Sequence, residues 1–351
     1  MKVLYVSSGV GGHDLRFLRL FIDAGFEVAC FITGASSAVA ALAKGARRSV
    51  AADLAGAIAQ ESPNVVVAGP IPDNGQLAAA TGFSPLVLLS WGFDLLRDVQ
   101  RDAAAAIQAA EALRHAACTV CDCDAARDVA MRLSGLPESR FLIVPWGLER
   151  ENFALAGADG GLRRALGWES QFVVVSTRSW EPTYRIDTVV EGFAQAHAVS
   201  PRLRLLLAGD GSLATEIRTR IAELGLQQAV HCPGRLDRAG VMHALAAADA
   251  YVSASEVDGT SLSLLEAMAS ARPVVVSDIP GNREWVEPAA CGEFFPVGDD
   301  DALASRLLEI ERMPDSQRAA MGRRARDRVR APPDWETNEA KNGKVLGEAR
   351  K

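Results

Sequence analysis

Short apolar runs alternate with amphipathic stretches from one end of the chain to the other. In the first half, Val3–Ser7, Glu27–Ile32, Asn64–Ala68, Pro85–Leu89, Cys118–Cys121 and Phe141–Val144 read as strands. Between them Asp14–Ala24, Ala51–Gln60, Gln76–Ala80, Arg101–Leu113 and Asp124–Leu133 repeat their apolar positions at helical spacing. The pattern pauses from Pro145 to Trp168, where Gly157, Gly160 and Gly161 crowd together, and a linker is expected there. It then restarts, with strands at Phe172–Ser176, Leu203–Ala208, Ala229–Cys232, Ala250–Ser253, Val274–Ser277 and Glu293–Pro296. Helices fall at Asp187–Ala198, Leu213–Leu224, Ala239–Ala247, Ser261–Ala269, Asp299–Glu311 and Asp315–Val329. Strand and helix in strict alternation predict α/β domains with parallel sheets covered on both faces. Two Rossmann-like doubly wound domains are expected, over residues 1–155 and 165–330, with no sequence repeat between them. Ala331-Pro332-Pro333 stops the last helix. Asp334-Trp335 then starts another, so residues 331–351 form either a C-terminal helix packed back on the first domain or a frayed tail.

In doubly wound sheets, ligands sit at the carboxyl ends of the strands. The loops after Ser7, Leu89, Ser176, Ala208, Ser253 and Ser277 are therefore expected to line a cleft. The most informative lies within residues 255–285: an acid (Asp258), a small-residue loop (Gly259-Thr260-Ser261), an apolar helix start at Leu262 and a second acid (Glu266). A loop feeding a helix N-terminus is built to bind phosphate. An acid further into that helix can reach a ribose.

Other strand-end loops carry rarer chemistry. Ser8-Gly9-Val10-Gly11-Gly12-His13 lets backbone approach a diphosphate, but the G-x-G-x-x-G spacing of a dinucleotide fingerprint fails, and no ribose-binding acid ends the second strand. His13 faces either substrate or solvent. Ser90-Trp91-Gly92-Phe93-Asp94 pairs a flat apolar face with an acid, which suits sugar; Asp94 as a helix cap is the plain reading. Arg178 and Arg185, in Thr177–Arg185, can clamp phosphate oxygens. Gly209-Asp210-Gly211 is a tight turn after a strand. The bend at Pro233-Gly234-Arg235 offers backbone groups to a flat base.

Composition narrows the field. At 351 residues, 49% hydrophobic and 23% charged, the chain forms cores. A net charge of −7 without basic runs argues against nucleic acid, and peripheral membrane contact is not indicated. No run is long enough to span a bilayer and no leader is expected. Six scattered cysteines fit free thiols in a cytoplasmic setting. Cys118, Cys121 and Cys123 cluster without a second metal-spaced pair, and Asp122 and Asp124 enter a helix, so no metal site is expected.

Together these residues resemble the family 4 glycosyltransferases, which have the GT-B fold, two Rossmann-like domains facing across a cleft. The resemblance covers nearly the whole chain and is strongest from Leu203 to Pro296. It implies that Gly11-Gly12 lies near the donor phosphates, Arg178 binds phosphate, and Gly209-Asp210-Gly211 is the turn after a strand of the second domain. Asp258 and Glu266 take the places of the acid-x7-acid motif, the first acid approaching the donor sugar and the second taking the ribose hydroxyls. Pro145-Trp146-Gly147-Leu148 resembles the domain junction. Three positions depart from the family: Asp258 stands for Glu, a Lys after Arg178 is missing with Tyr184-Arg185 nearby, and Trp91 stands where a His often precedes glycine.

The resemblance implies retaining transfer of a hexose-type sugar from a nucleotide-sugar donor. UDP is preferred, and the acceptor is a glycan, a lipid-linked sugar or a small molecule. Neither metal nor separate cofactor is implied, the nucleotide sugar being a substrate. Arg178, Arg185, Asp258, Asp94 and His13 are the candidate catalytic residues. Gly11, Gly12, Gly209, Arg235, Gly259, Thr260, Ser261, Leu262 and Glu266 are the candidate donor-binding residues. The departures leave two alternatives: a GT-B nucleotide-sugar epimerase or hydrolase, or a silent sugar-nucleotide-binding partner protein.

Overall fold

The computed structural model describes residues 1–34, 42–145, 148 and 161–330, apart from the side chains of Gly12 and His13. The expected junction turn at Trp146-Gly147, most of the linker and the expected C-terminal helix lie outside the described residues. The chain divides after Pro145 into two units.

The first unit is built on seven parallel strands. They are β1 (Lys2–Ser7), β2 (Glu27–Ile32), β3 (Ala46–Arg48), β4 (Val65–Ala68), β5 (Leu86–Leu89), β6 (Cys118–Cys121) and β7 (Phe141–Ile143), in the order β3-β2-β1-β4-β5-β6-β7. β1 is the pivot, with Val3 opposite both Val28 of β2 and Val65 of β4. β4 and β5 are buried from end to end, as strands covered by helices on both faces must be. The edge strand β3 escaped the hydrophobic pattern because it is Ala-Arg-Arg, half to fully exposed.

The second unit has six parallel strands. β8 (Phe172–Ser176), β9 (Leu203–Ala208), β10 (Val230–Gly234), β11 (Ala250–Ser253), β12 (Val274–Ser277) and β13 (Gly292–Phe295) run in the order β10-β9-β8-β11-β12-β13. Alternate side chains serve opposite faces. Phe172 and Val174 join Phe193, Leu205 and Leu307 in one core, while Val173 and Val175 join Leu206, Tyr251, Leu264 and Val274 in the other. Burying one residue of the size of Phe193 contributes roughly 1.5–3 kcal/mol, so each face holds its helices firmly. The helix Leu162–Leu166 falls inside the stretch expected as linker; it is one short turn between Gly161 and Gly167, both left-handed.

Each sheet reverses direction once, at β1/β4 in the first unit and at β8/β11 in the second. The loops leaving the two strands at such a switch diverge and open a crevice between them. In the second unit those loops carry Arg178 and Asp258.

Candidate functional site

The loop after β8 and the loop after β11 meet on one guanidinium. Arg178 is buried, and its Nη1 donates to Ser261 Oγ at 2.7 Å and to Ser263 Oγ at 2.8 Å. Tyr251, in the middle of β11, donates its hydroxyl to the same Ser263 Oγ at 2.9 Å. Asp258 lies 2.7 Å from Arg178 Nη2, off the line of a good hydrogen bond, so charge is what joins them. Burial alone would pull Arg178 down; the Asp258 charge opposes it and the guanidinium ends above its ordinary value, a fixed cation. The ring of Tyr184 lies against its face, 3.9 Å from the guanidinium carbon.

Ser261 is the cap residue of the helix Leu262–Ala269, yet its hydroxyl makes no cap bond to the helix because it receives Arg178. The helix start is thus left without a side-chain cap next to a buried cation. Free N–H groups plus the helix dipole, about half a positive charge, add to it. Within this helix only Leu262 and Glu266, one turn apart, are half-exposed; the other six residues are buried. They share the face that a ligand can touch. Thr260 and Gly259 are buried in the loop before them.

Neighbouring loops hold this arrangement in place. A Cβ on Gly281, after β12, would overlap the carbonyl oxygens of Asp258 and Gly259. Gly209 (φ +138) has the same kind of reason: a side chain there would overlap the Arg178 carbonyl. The Gly209 N–H donates to Gly234 O at 2.9 Å, linking the turn to the bend beside the exposed Arg235. The glycines of this turn therefore serve close packing against the Arg178 loop, a reason sequence reading did not supply. Arg185 does not join Arg178. It occupies the left-handed region (φ 46) ahead of the helix Ile186–Val199, and its guanidinium pairs with Asp187 at 3.0 Å.

In the first unit the glycine-rich loop is shaped by Asp14. Its carboxylate accepts from Gly11 N at 2.8 Å, Ser7 Oγ at 2.7 Å and Tyr5 Oη at 3.0 Å. Gly12 and His13 open the helix Gly12–Asp23; their side chains lie outside the described residues. Asp94 is placed in the interior, not on an open face. It accepts from Ile71 N (3.0 Å), Ser90 Oγ (2.7 Å), Trp91 N (3.1 Å) and Leu95 N (3.0 Å), tying the loops after β4 and β5 together. Complete burial lifts its carboxyl to about 6, against the pull of these four donors. Trp91 packs its ring on Phe17, with centroids 5.7 Å apart. Asp94 is not the expected cap either: it is the first residue inside the turn Asp94–Asp98, whose cap position is Phe93 with no side-chain cap bond, and its carboxylate braces the two loops. Tyr251 and Ser263 escaped sequence reading, one looking like an ordinary core residue and the other one serine among several, and Tyr184 stood out only as the neighbour of Arg185.

The two-unit, doubly wound build defines the class: this is the GT-B fold. Solved structures of that class superpose on the whole chain. Anabaena HepE in complex with UDP matches with a TM-score of 0.81 at 18% identity, over 99% of this chain and 100% of HepE. Sucrose-phosphate synthase from Thermosynechococcus elongatus matches with a TM-score of 0.79 at 19% identity, over 99% of both chains. The family model described as "Glycosyl transferases group 1" matches residues 162–328, nearly all of the described second unit. A GDP-mannose-dependent monoacylated alpha-(1-6)-phosphatidylinositol monomannoside mannosyltransferase of Corynebacterium glutamicum is 29% identical over 203 residues, 55% of this chain and 52% of that protein. A phosphatidyl-myo-inositol mannosyltransferase of Mycobacterium leprae is 35% identical over 112 residues, 31% of this chain and 29% of that protein. The matched stretches thus span about half or less of these relatives.

Proposed function

We propose that the chain is a retaining glycosyltransferase that moves a hexose-type sugar from a nucleoside-diphosphate sugar to an acceptor hydroxyl, with no metal required. The observation that carries this reading is the buried Arg178 beside the uncapped start of the helix Leu262–Ala269, in the unit that the transferase family model matches. Negative charge builds on the diphosphate as the bond from the sugar C1 breaks. A fixed cation and oriented N–H groups stabilise that charge without reorganising. Glu266 takes the ribose hydroxyls from its half-exposed face, and Asp258 approaches the sugar. Retention rests on the family resemblance: the acceptor oxygen bonds to C1 on the face the diphosphate leaves, and its proton passes to a phosphate oxygen. UDP is the preferred nucleotide, supported by the likeness to the UDP complex of HepE, while the Corynebacterium relative is named for GDP-mannose.

Calorimetry with UDP, GDP, ADP and TDP, and turnover with their sugars, tests the reading. Arg178→Ala and Glu266→Ala should each weaken nucleotide binding by about 10- to 100-fold, the range expected for losing a charge-assisted hydrogen bond. If both variants bind and turn over as the wild type does, the site is misassigned.

A further inference from the structure

We propose that Tyr184 is a positioning residue that fixes the plane of the Arg178 guanidinium. This rests on the reading of Arg178 as the diphosphate-binding cation. Arginine has a long, flexible stem, so its head must be held from outside. Ser261, Ser263 and Asp258 hold two edges of the head, all three through the terminal nitrogens. None of them covers its flat face. The Tyr184 ring does, at 3.9 Å. A phosphate that takes the Nη2 edge displaces Asp258, and the edge contacts change; the stacked ring is the restraint that does not depend on them. It also keeps water off the cation, which strengthens every charge interaction the cation makes.

The ring is itself well anchored. It packs against the core on the Phe172 and Phe193 face of the sheet. It ends the single turn Pro182–Tyr184, closed by Tyr184 N donating to Glu181 O at 2.9 Å. Thr183 O accepts from Glu256 N at 2.9 Å, which ties this turn to the loop that carries Asp258. The two halves of the site are thus joined beside the ring as well as through the ion pair.

A double-mutant cycle tests the proposal, with the tightest-binding of UDP, GDP and ADP as probe and thermal melts of each variant as the folding control. Tyr184→Ala should weaken binding by about tenfold, within the range of a desolvated cation–π contact. Tyr184→Phe, which keeps the ring, should stay within about twofold of wild type, and Tyr184→Leu, which keeps bulk without a π face, should behave like Tyr184→Ala. On an Arg178→Ala background, Tyr184→Ala should cost nothing further. Wild-type binding by the folded Ala and Leu variants overturns the proposal. So does an equal loss with and without Arg178, which would mean that the ring touches the nucleotide itself. If Arg178→Ala alone binds normally, the donor-site reading fails first and this proposal falls with it.

Discussion

Asp258 faces the same guanidinium edge that a phosphate would take. The acid and the ligand therefore compete for Arg178 Nη2, now 2.7 Å from the carboxylate. Replacing the charge while keeping the shape separates the two roles. Asp258→Asn should bind free nucleoside diphosphate a few-fold more tightly, because one competitor is gone. It should turn over the sugar nucleotide at least about tenfold more slowly, because the acid proposed to approach the sugar is lost. Calorimetry and product assay on the same preparation read both numbers. Weaker nucleotide binding would show that the acid helps to hold the ligand's place instead of occupying it. Arg178, Asp258 and Ser261 stood out in the sequence because strand ends are recognisable and each lies in a loop that leaves one. Their convergence was not, since it depends on two loops separated by some 80 residues meeting at the β8/β11 switch. Arg185 shows the limit of the same reasoning: it stands in the right loop, but its left-handed backbone turns it to Asp187.

At the scale of elements, apolar runs marked every strand but β3, and every long helix, because buried parallel strands and amphipathic helices leave strong patterns. Arg-rich β3 and the short helix between glycines left none. The loops that shape the site depend on contacts between elements, which no local pattern records. Gly281 is the clearest case. It belongs to the helix Pro280–Trp285, after β12, yet its bare Cα is what lets the carbonyls of Asp258 and Gly259 lie where they do. Its φ is ordinary, so the demand is for space alone. Gly281→Ala should destabilise the second unit by about 2 kcal/mol, the usual cost of overpacking that backbone must absorb. It should also weaken nucleotide binding, since the loop that yields is the one bearing Asp258. Urea unfolding and calorimetry on one variant check both effects; lost stability with unchanged binding would separate the loop's position from its function.

At the scale of the molecule, each unit has its own sheet and its own core, so each carries its own dependence on solution conditions. In the second unit, the buried charge at the switch is a guanidinium, ionised at every accessible pH. In the first, the loop after β5 buries Asp94, whose carboxyl burial has raised from an ordinary 3.8 to about 6. A raised acid favours the neutral form in the folded state. Its stabilising contribution is fully present below pH 4, falls as pH rises from about 4 to about 6, and is constant above that. The change amounts to roughly 3 kcal/mol. Most paired carboxylates act in the opposite direction, Glu61 of the same unit among them, its carboxyl lowered by the hydrogen bond from Arg47, so the Asp94 contribution is read as the difference between wild type and Asp94→Asn. A carboxylate carbon titrating near pH 6 should appear in the NMR spectrum of aspartate-labelled protein and vanish in Asp94→Asn. Over the same range, urea unfolding followed by hydrogen exchange in peptides from 86–99 should shift to lower midpoints, relative to Asp94→Asn, as pH rises. A carbon that titrates near 4 instead would mean that the four donors around Asp94 outweigh its burial.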